Sequence, residues 1–406
     1  MKNITLLFFF IGFHLFAKSQ TIELIGYYNI NGTIAIASLP GYMIISNGEI
    51  VDISDPANPV LNSSYSFDYA ASIIADEGYA YFGTEMSCDL YIADISNIDF
   101  PLHQGFLDFG SDIGHGVFGM AKNDTVLFVA IGASFCSIDI TDKTNPTLLD
   151  TLFISDGQSR DVSLKGSYAF VAHQMGLKVI DISDPEDLQI NSSIGSGYNS
   201  VEVSETKAYL GKGWSSGGAD VFDITDPVNP SPAFSISNPG GTCWDIKTRD
   251  NLIYLATDYG GLFIYKMENN TTTEVANYDG PGGGQNFSVC LQDSLILLSE
   301  LITGVAILQY DSTGTVGIVS NTNLQNIFSL FPNPARDYIF IKRMNSINSK
   351  SEVHVRIFNN RGALQDEFML TGLAYKHDIS WYLSGVYFCN LKQDEGKPEM
   401  IKFIVH

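Results

Sequence analysis

A short phrase returns along this chain at nearly constant spacing, and that period restricts the possible folds more than any other feature. Val51-Asp52-Ile53-Ser54-Asp55-Pro56 comes back as Ala93-Asp94-Ile95-Ser96-Asn97 and Ile138-Asp139-Ile140-Thr141-Asp142. It returns again as Ile180-Asp181-Ile182-Ser183-Asp184-Pro185 and Phe222-Asp223-Ile224-Thr225-Asp226-Pro227. Two worn copies follow, with Tyr265 and Leu308 where the first Asp stands. Positions 52, 94, 139, 181, 223, 265 and 308 are 42, 45, 42, 42, 42 and 43 residues apart. Within a copy, alternating runs such as Asp161 to Leu164, Tyr168 to Ala172 and Leu177 to Asp181 are divided by turns at Lys165-Gly166-Ser167 and Met175-Gly176. Period-2 runs of this length read as antiparallel strands. Four such strands in roughly 40–45 residues make one propeller blade, so seven copies predict an all-β, seven-bladed propeller.

The turn has its own local chemistry. Ser/Thr hydroxyls and Asp carboxylates accept backbone N–H bonds, and proline presets φ for the reversal. Each turn offers only two carboxylates, so a calcium role is a lesser reading of these Asp residues. The phrase from Gly176 to Pro185 resembles the LVIVD repeat, a β-propeller family of exported bacterial and archaeal proteins, and the resemblance extends over about Thr21 to Asp311. It implies the fold and no agreed activity. The seventh copy, Asn286 to Asp311, holds three strands, whereas strand-like Ile22 to Tyr28 precedes the first. That segment is expected to complete the last blade and close the ring.

The chain ends are of another kind. Met1-Lys2-Asn3, an apolar run from Ile4 to Phe16 and then Ala17-Lys18-Ser19-Gln20 have the parts of a secretory signal, so 1–19 is expected to be a cleaved signal peptide. No other run approaches the length of a spanning helix. From Ile327 to His406 there are ten Lys/Arg and eight Asp/Glu, a net of +2, against ten and thirty-seven, a net of −27, between Gln20 and Asn326. The shift falls at a Ser/Thr/Asn stretch and predicts a propeller at 20–311, a linker at 312–326 and a small β-sandwich at 327–406. Few contacts are expected across that linker. Pro332-Asn333-Pro334-Ala335, the Arg361-Gly362 turn, Gly385-Val386-Tyr387-Phe388 and the basic, apolar finish around Lys402 resemble the type A sorting domain of the type IX secretion system of Bacteroidetes. The resemblance implies the secretion machinery as a partner, export through the periplasm, and release or attachment at the outer surface.

A site on a propeller is expected where the inner strands begin around the channel. Alignment of the copies places Ile34, Ala71, Phe118, Arg160, Asn199, Trp244 and Phe287 in one ring, and Ala35, Ser72, Gly119, Asp161, Ser200, Asp245 and Ser288 in the next. Arg160, Asp161, Trp244 and Asp245 stand out, with His115 in the approach to the third blade. Two channel carboxylates could do acid–base work on a sugar, but buried Asp in such folds also serves simply to accept backbone bonds. The seven His and five Cys form no metal-ligand spacing, so neither a metal nor another cofactor is expected. Cys88 and Cys136 are the better candidates for a disulfide, whereas Cys243 and Cys290 are offset along their strands beyond bridging distance. Gly280-Pro281-Gly282-Gly283-Gly284 lacks the Lys-Ser/Thr of a phosphate loop, and no Gly-x-Ser-x-Gly elbow occurs. So acidic a chain is unsuited to nucleic acid. The sequence therefore favours a monomeric, exported, non-enzymatic binding propeller for a glycan or protein. The alternative is a polysaccharide hydrolase or lyase using the channel carboxylates.

Overall fold

The computed structural model describes residues 21–76, 78–110, 116–154, 157–213, 217–238, 240–280, 285–311, 328–331, 335–336, 338–343, 353–359, 363–370, 374–393 and 399–405. The expected signal segment 1–19, His115, the Gly-rich stretch 281–284, the expected linker 312–326, and Pro332, Asn333, Pro334 and Gly362 lie outside the described residues. The chain divides into two compact units between Thr315 and Val316.

In the first unit, seven four-stranded antiparallel sheets follow one another along the chain. Their first strands are Ile36–Leu39, Ala70–Asp76, Val117–Asn123, Ser159–Lys165, Tyr198–Val203, Cys243–Arg249 and Asn286–Gln292. Each neighbours the next, and the last returns to the first, so the sheets stand as blades around a complete ring. Blades one to six use four consecutive strands, but the seventh uses three and takes Thr21–Asn29 as its fourth. Leu24 pairs with Leu308 and Tyr28 with Val305 in that closing ladder, which joins the two ends of the propeller sequence.

Burial explains why the middle strands are apolar throughout. Each lies between two neighbouring blades and loses water on both faces, as with Leu127 to Ile131 and Ala169 to Ala172. Phe170, Leu177 and Val179 of the fourth blade pack on Tyr198, Leu210 and Phe222 of the fifth. Each such side chain contributes about 1.5–3 kcal/mol on leaving water. The outer strands, with one blade edge to solvent, carry exposed Val60, Leu102 and Phe153.

The recurring phrase is a turn that caps itself. In all five good copies the first Asp accepts the N–H two residues on: Ser54, Ser96, Thr141, Ser183 and Thr225 donate to Asp52, Asp94, Asp139, Asp181 and Asp223 at 2.8–2.9 Å. The second Asp or Asn repeats the pattern with Ala57, Asp99, Thr144, Glu186 and Val228. The intervening Ile side chains are buried, and their N–H groups bond back to the preceding turn, as Ile182 does to Ser167. The side-chain oxygens at both positions of each turn thus accept from backbone. Among the described residues, no group of three or more His, Cys, Asp or Glu is arranged to hold a metal.

None of the five cysteines is in a disulfide: neither the candidate pair Cys88–Cys136 nor Cys243–Cys290 is bridged. The Cys88 sulfur instead accepts the Gly116 N–H, while Cys136 faces Thr151 within its own blade.

The second unit packs a three-stranded sheet and a four-stranded sheet over a core of Ile339, Ile341, Val355, Ile357, Leu391 and Phe403. Among the described residues, no helix is long and apolar enough to cross a membrane.

Candidate functional site

The channel ring is made by a repeated irregularity in the inner strands. Pairing with the second strand slips between Ala70 and Ser72, Val117 and Gly119, Ser159 and Asp161, Tyr198 and Ser200, Cys243 and Asp245, and Asn286 and Val289. The skipped residue is Ala71, Phe118, Arg160, Asn199 or Trp244, and in the seventh blade Phe287 with Ser288. A β-bulge bends its strand and re-aims one side chain. Here, together with Ile34 of the first blade, the bulged residues line one cavity of about 350 Å³. Backbone donors at this level that the ladder leaves unpaired find hydroxyls: Ile34 and Ala35, just before the first blade's inner strand, donate to Ser46 Oγ, and Phe287 and Ser288, at the slip of the seventh, donate to Ser299 Oγ. Gly119 in the next layer is required by close approach, because a Cβ there would stand 2.5 Å from the Asp161 Cα.

The mouth is aromatic on one side and polar on the other. Trp244 and Phe287 lie with ring centroids 4.8 Å apart at 34°, and the Trp244 indole N–H donates to the Asp258 carboxylate. The Arg160 guanidinium lies over the Phe118 ring at 4.7 Å. No carboxylate is within ion-pair range of Arg160 among the described residues, and its buried Nε donates to nothing. Asn199, 4% exposed, likewise leaves its Nδ2 without an acceptor. Asn199 also lines a second cavity, of about 520 Å³, with Gln174, Met175, Tyr198 and Gly213.

One layer deeper, the two channel carboxylates join blades. Asp161 accepts the N–H of Val162 on its own strand and that of Val201 on the fifth blade, at 2.8 and 2.9 Å. Asp245 accepts the Val289 N–H at 2.9 Å and the Ser288 hydroxyl at 3.2 Å, both on the seventh blade. Lys247 stands 3.3 Å from Asp245 and 3.8 Å from Glu202. Burial pushes Asp161 up to about 7, with Asp245 adding to the rise and Lys247 and the two backbone donors opposing it. Burial also raises Glu202. Burial alone would lower Lys247, but Asp245, Glu202 and Asp161 together hold it above the ordinary lysine range. The layer can hold a proton on Asp161 near neutrality, yet both Asp side chains already spend oxygens on neighbouring backbone.

Of the sequence-derived candidates, Arg160, Asp161, Trp244 and Asp245 come together in the channel, and His115 lies outside the described residues. Lys247 and Glu202 were not foreseen. Their signal was available as charges two residues beyond Asp245 and Ser200, on the same face of channel-lining strands. In the terminal sandwich, Gly385 opens the strand Gly385–Gln393. Tyr387 is buried in the core and its hydroxyl donates to the Leu383 carbonyl at 2.7 Å. Lys402 sits opposite Phe388 on the last strand, Glu399–Val405, and points outward.

Two known families match parts of the chain. The LVIVD repeat matches residues 45–66, 68–101 and 156–194, and the secretion system C-terminal sorting domain matches residues 329–406. The chain carries LVIVD repeats and ends in a type IX sorting domain. No curated protein is similar to it in sequence. Among solved structures it is similar in fold to the Pan2 WD40 domain of Neurospora crassa, at 11% identity and TM-score 0.55, over 73% of this chain and 97% of that one. It is also similar to the extracellular domain of BT4673 from B. thetaiotaomicron, at 10% identity and TM-score 0.50, over 96% of this chain and 59% of that one. The computationally designed Ika8 protein is a third, at 10% identity and TM-score 0.50, over 95% of this chain and 99% of that one. These likenesses are of fold alone. The sorting domain engages the type IX secretion machinery and marks the LVIVD-repeat propeller for export, to be released or attached at the cell surface.

Proposed function

We propose that the exported propeller is a binding protein that takes its ligand at the channel mouth, with residues 1–19 as its signal peptide. One observation carries the reading. A bulge in blade after blade turns one residue into a shared cavity, and two of those residues, Arg160 and Asn199, have buried donors without a partner among the described residues. An unmet buried donor costs free energy that a ligand can return. The Trp244–Phe287 pair adds a rigid apolar platform beside those donors. The reading invokes neither calcium nor a cofactor.

A second reading has support from one group. Asp161, held up to about 7 and sharing the cavity with Asp245, has the protonation behaviour of a general acid in polysaccharide hydrolysis. Against it stand the backbone amides that both carboxylates accept. A glycan array probed with the full chain, with and without calcium, tests the first reading: bound glycans should be lost on Trp244→Ala. Release of new reducing ends from an array hit, abolished in Asp161→Asn, would replace it with the second.

A further inference from the structure

The mouth has a polarity that narrows the ligand. Of its seven residues, only Arg160 is charged, and it is a cation in a segment with a net of −27. Its guanidinium is fixed over Phe118, so it is presented in a set orientation, and its Nε faces no acceptor. The next blade supplies Asn199 Nδ2, a second unmet donor. Two donors on adjacent blades, one of them charged, suit an acceptor-only group with two oxygens. The next two blades supply Trp244 and Phe287, and because the indole N–H is committed to Asp258, this side offers ring faces and no donor. Building on the reading of the mouth as a binding site, we propose that it recognises a carboxylate carried on a sugar ring: the uronic acid residue of an acidic glycan.

A pyranose with a carboxylate at one edge matches both sides at once. Its carboxylate reaches Arg160 and Asn199, and its C–H face lies on the aromatic pair. A peptide C-terminus would bring the same carboxylate but would set its own N–H and C=O groups against Trp244 and Phe287, where no partner waits. A cationic ligand would meet Arg160 head-on, and a neutral sugar would leave it unpaired. Lys247, 3.3 Å from Asp245 and 3.8 Å from Glu202, offsets part of the negative charge of the deeper layer. At about 350 Å³ the cavity is at the small end of ligand sites, which fits a chain end or single residue over a long bound polymer.

Isothermal titration of the full chain with trigalacturonate, its carboxyl-reduced neutral counterpart and a tripeptide with a free C-terminal carboxylate tests the inference. Trigalacturonate should bind at least tenfold more tightly than the other two. Arg160→Met, which keeps an apolar stem over Phe118, should remove that preference; Arg160→Lys should retain part of it; Asn199→Ala should weaken trigalacturonate several-fold. Thermal melting of each variant should match the parent, so that lost binding is not lost folding. Equal affinity for the acidic and neutral trisaccharides, or a preference that survives Arg160→Met, overturns the carboxylate while leaving the mouth as a site. Preferential binding of the tripeptide overturns the sugar. Binding of none of the three overturns the inference, and the reading beneath it falls separately if array ligands survive Trp244→Ala.

Discussion

The five turns at the ends of the third strands and the ring at the channel mouth are both built once per blade, but they are conserved within the molecule to opposite degrees. Every good turn uses the same Asp-to-N–H bond over the same two residues, from Asp52–Ser54 to Asp223–Thr225. The ring shares a bulge in six of its seven blades, and the residues placed in it are Ile34, Ala71, Phe118, Arg160, Asn199, Trp244 and Phe287. Where a repeat protein keeps one solution in copy after copy, the solution serves the blade. Where it keeps the backbone device and varies the side chain, the variation is free to serve a ligand.

The largest expected effect lies on the turn side of this comparison. Ile140 is fully buried beneath its turn, and Ile140→Ala should cost about 2–5 kcal/mol of unfolding free energy in denaturant titration. Its ligand affinity, measured where the variant is folded, should be that of the parent. Next comes the layer between the two regions. Asp161→Ala strands the buried Val201 N–H and should cost about 1–3 kcal/mol. Asp181→Ala, which removes one partly solvated turn bond, should cost ~1 kcal/mol. At the mouth, Arg160→Met replaces the guanidinium over Phe118 with an apolar stem and breaks no side-chain hydrogen bond or ion pair, so it should move stability by no more than about 0.5 kcal/mol. A large loss there would merge the two regions into one scaffold.

Acid titration separates them by sign. Backbone and side-chain bonds from Ser54, Ser96, Thr141 and Ser183 hold Asp52, Asp94, Asp139 and Asp181 below their ordinary range. Their stabilisation is present above the unfolded value near ~3.9 and is lost as pH falls through the folded one. Asp161 is opposite. Its folded value is raised to about 7, so the fold favours its neutral form and stability declines as pH rises from near ~3.9 through about 7. Urea midpoints across pH should therefore fall on both sides of a weakly acid optimum. Asp161→Asn should reduce the decline on the neutral side, to which Glu202 and Glu300, both raised by burial, also contribute, and leave the acid side unchanged; an unchanged neutral side would mean that Asp161 is ionised in the folded protein throughout.

Much of this was legible in the sequence because repetition converts long-range structure into a local pattern. The spacing of Asp52, Asp94, Asp139, Asp181 and Asp223, continued by Tyr265 and Leu308, counted the blades, and the missing fourth strand of the seventh copy indicated that Ile22–Tyr28 would close the ring, as the Leu24–Leu308 pairing does. Alignment also placed Arg160 and Trp244 in one ring. What alignment could not supply was the slip in pairing, because a bulge adds no residue that period-2 reading detects. Nor could it supply the partners of Asp161 and Asp245, which lie on the following blade some forty residues away. Lys247 and Glu202 belong to the same class: each is an ordinary surface charge until the ring brings their strands together. In the terminal sandwich, Tyr387 was identified by resemblance, and its burial against Phe403 gives it a packing role that the motif alone does not reveal.

The central claim is that ligand recognition resides in the varied ring and folding in the repeated turns. The most direct measurement compares Arg160→Met with Asp181→Ala in one experiment, reading trigalacturonate affinity by calorimetry and melting temperature by scanning calorimetry on the same full-length samples. The account predicts that the ring variant loses binding at an unchanged melting temperature, and that the turn variant melts lower while binding as the parent does. Binding that survives in the ring variant, or is lost in the turn variant at temperatures where it is folded, would contradict it.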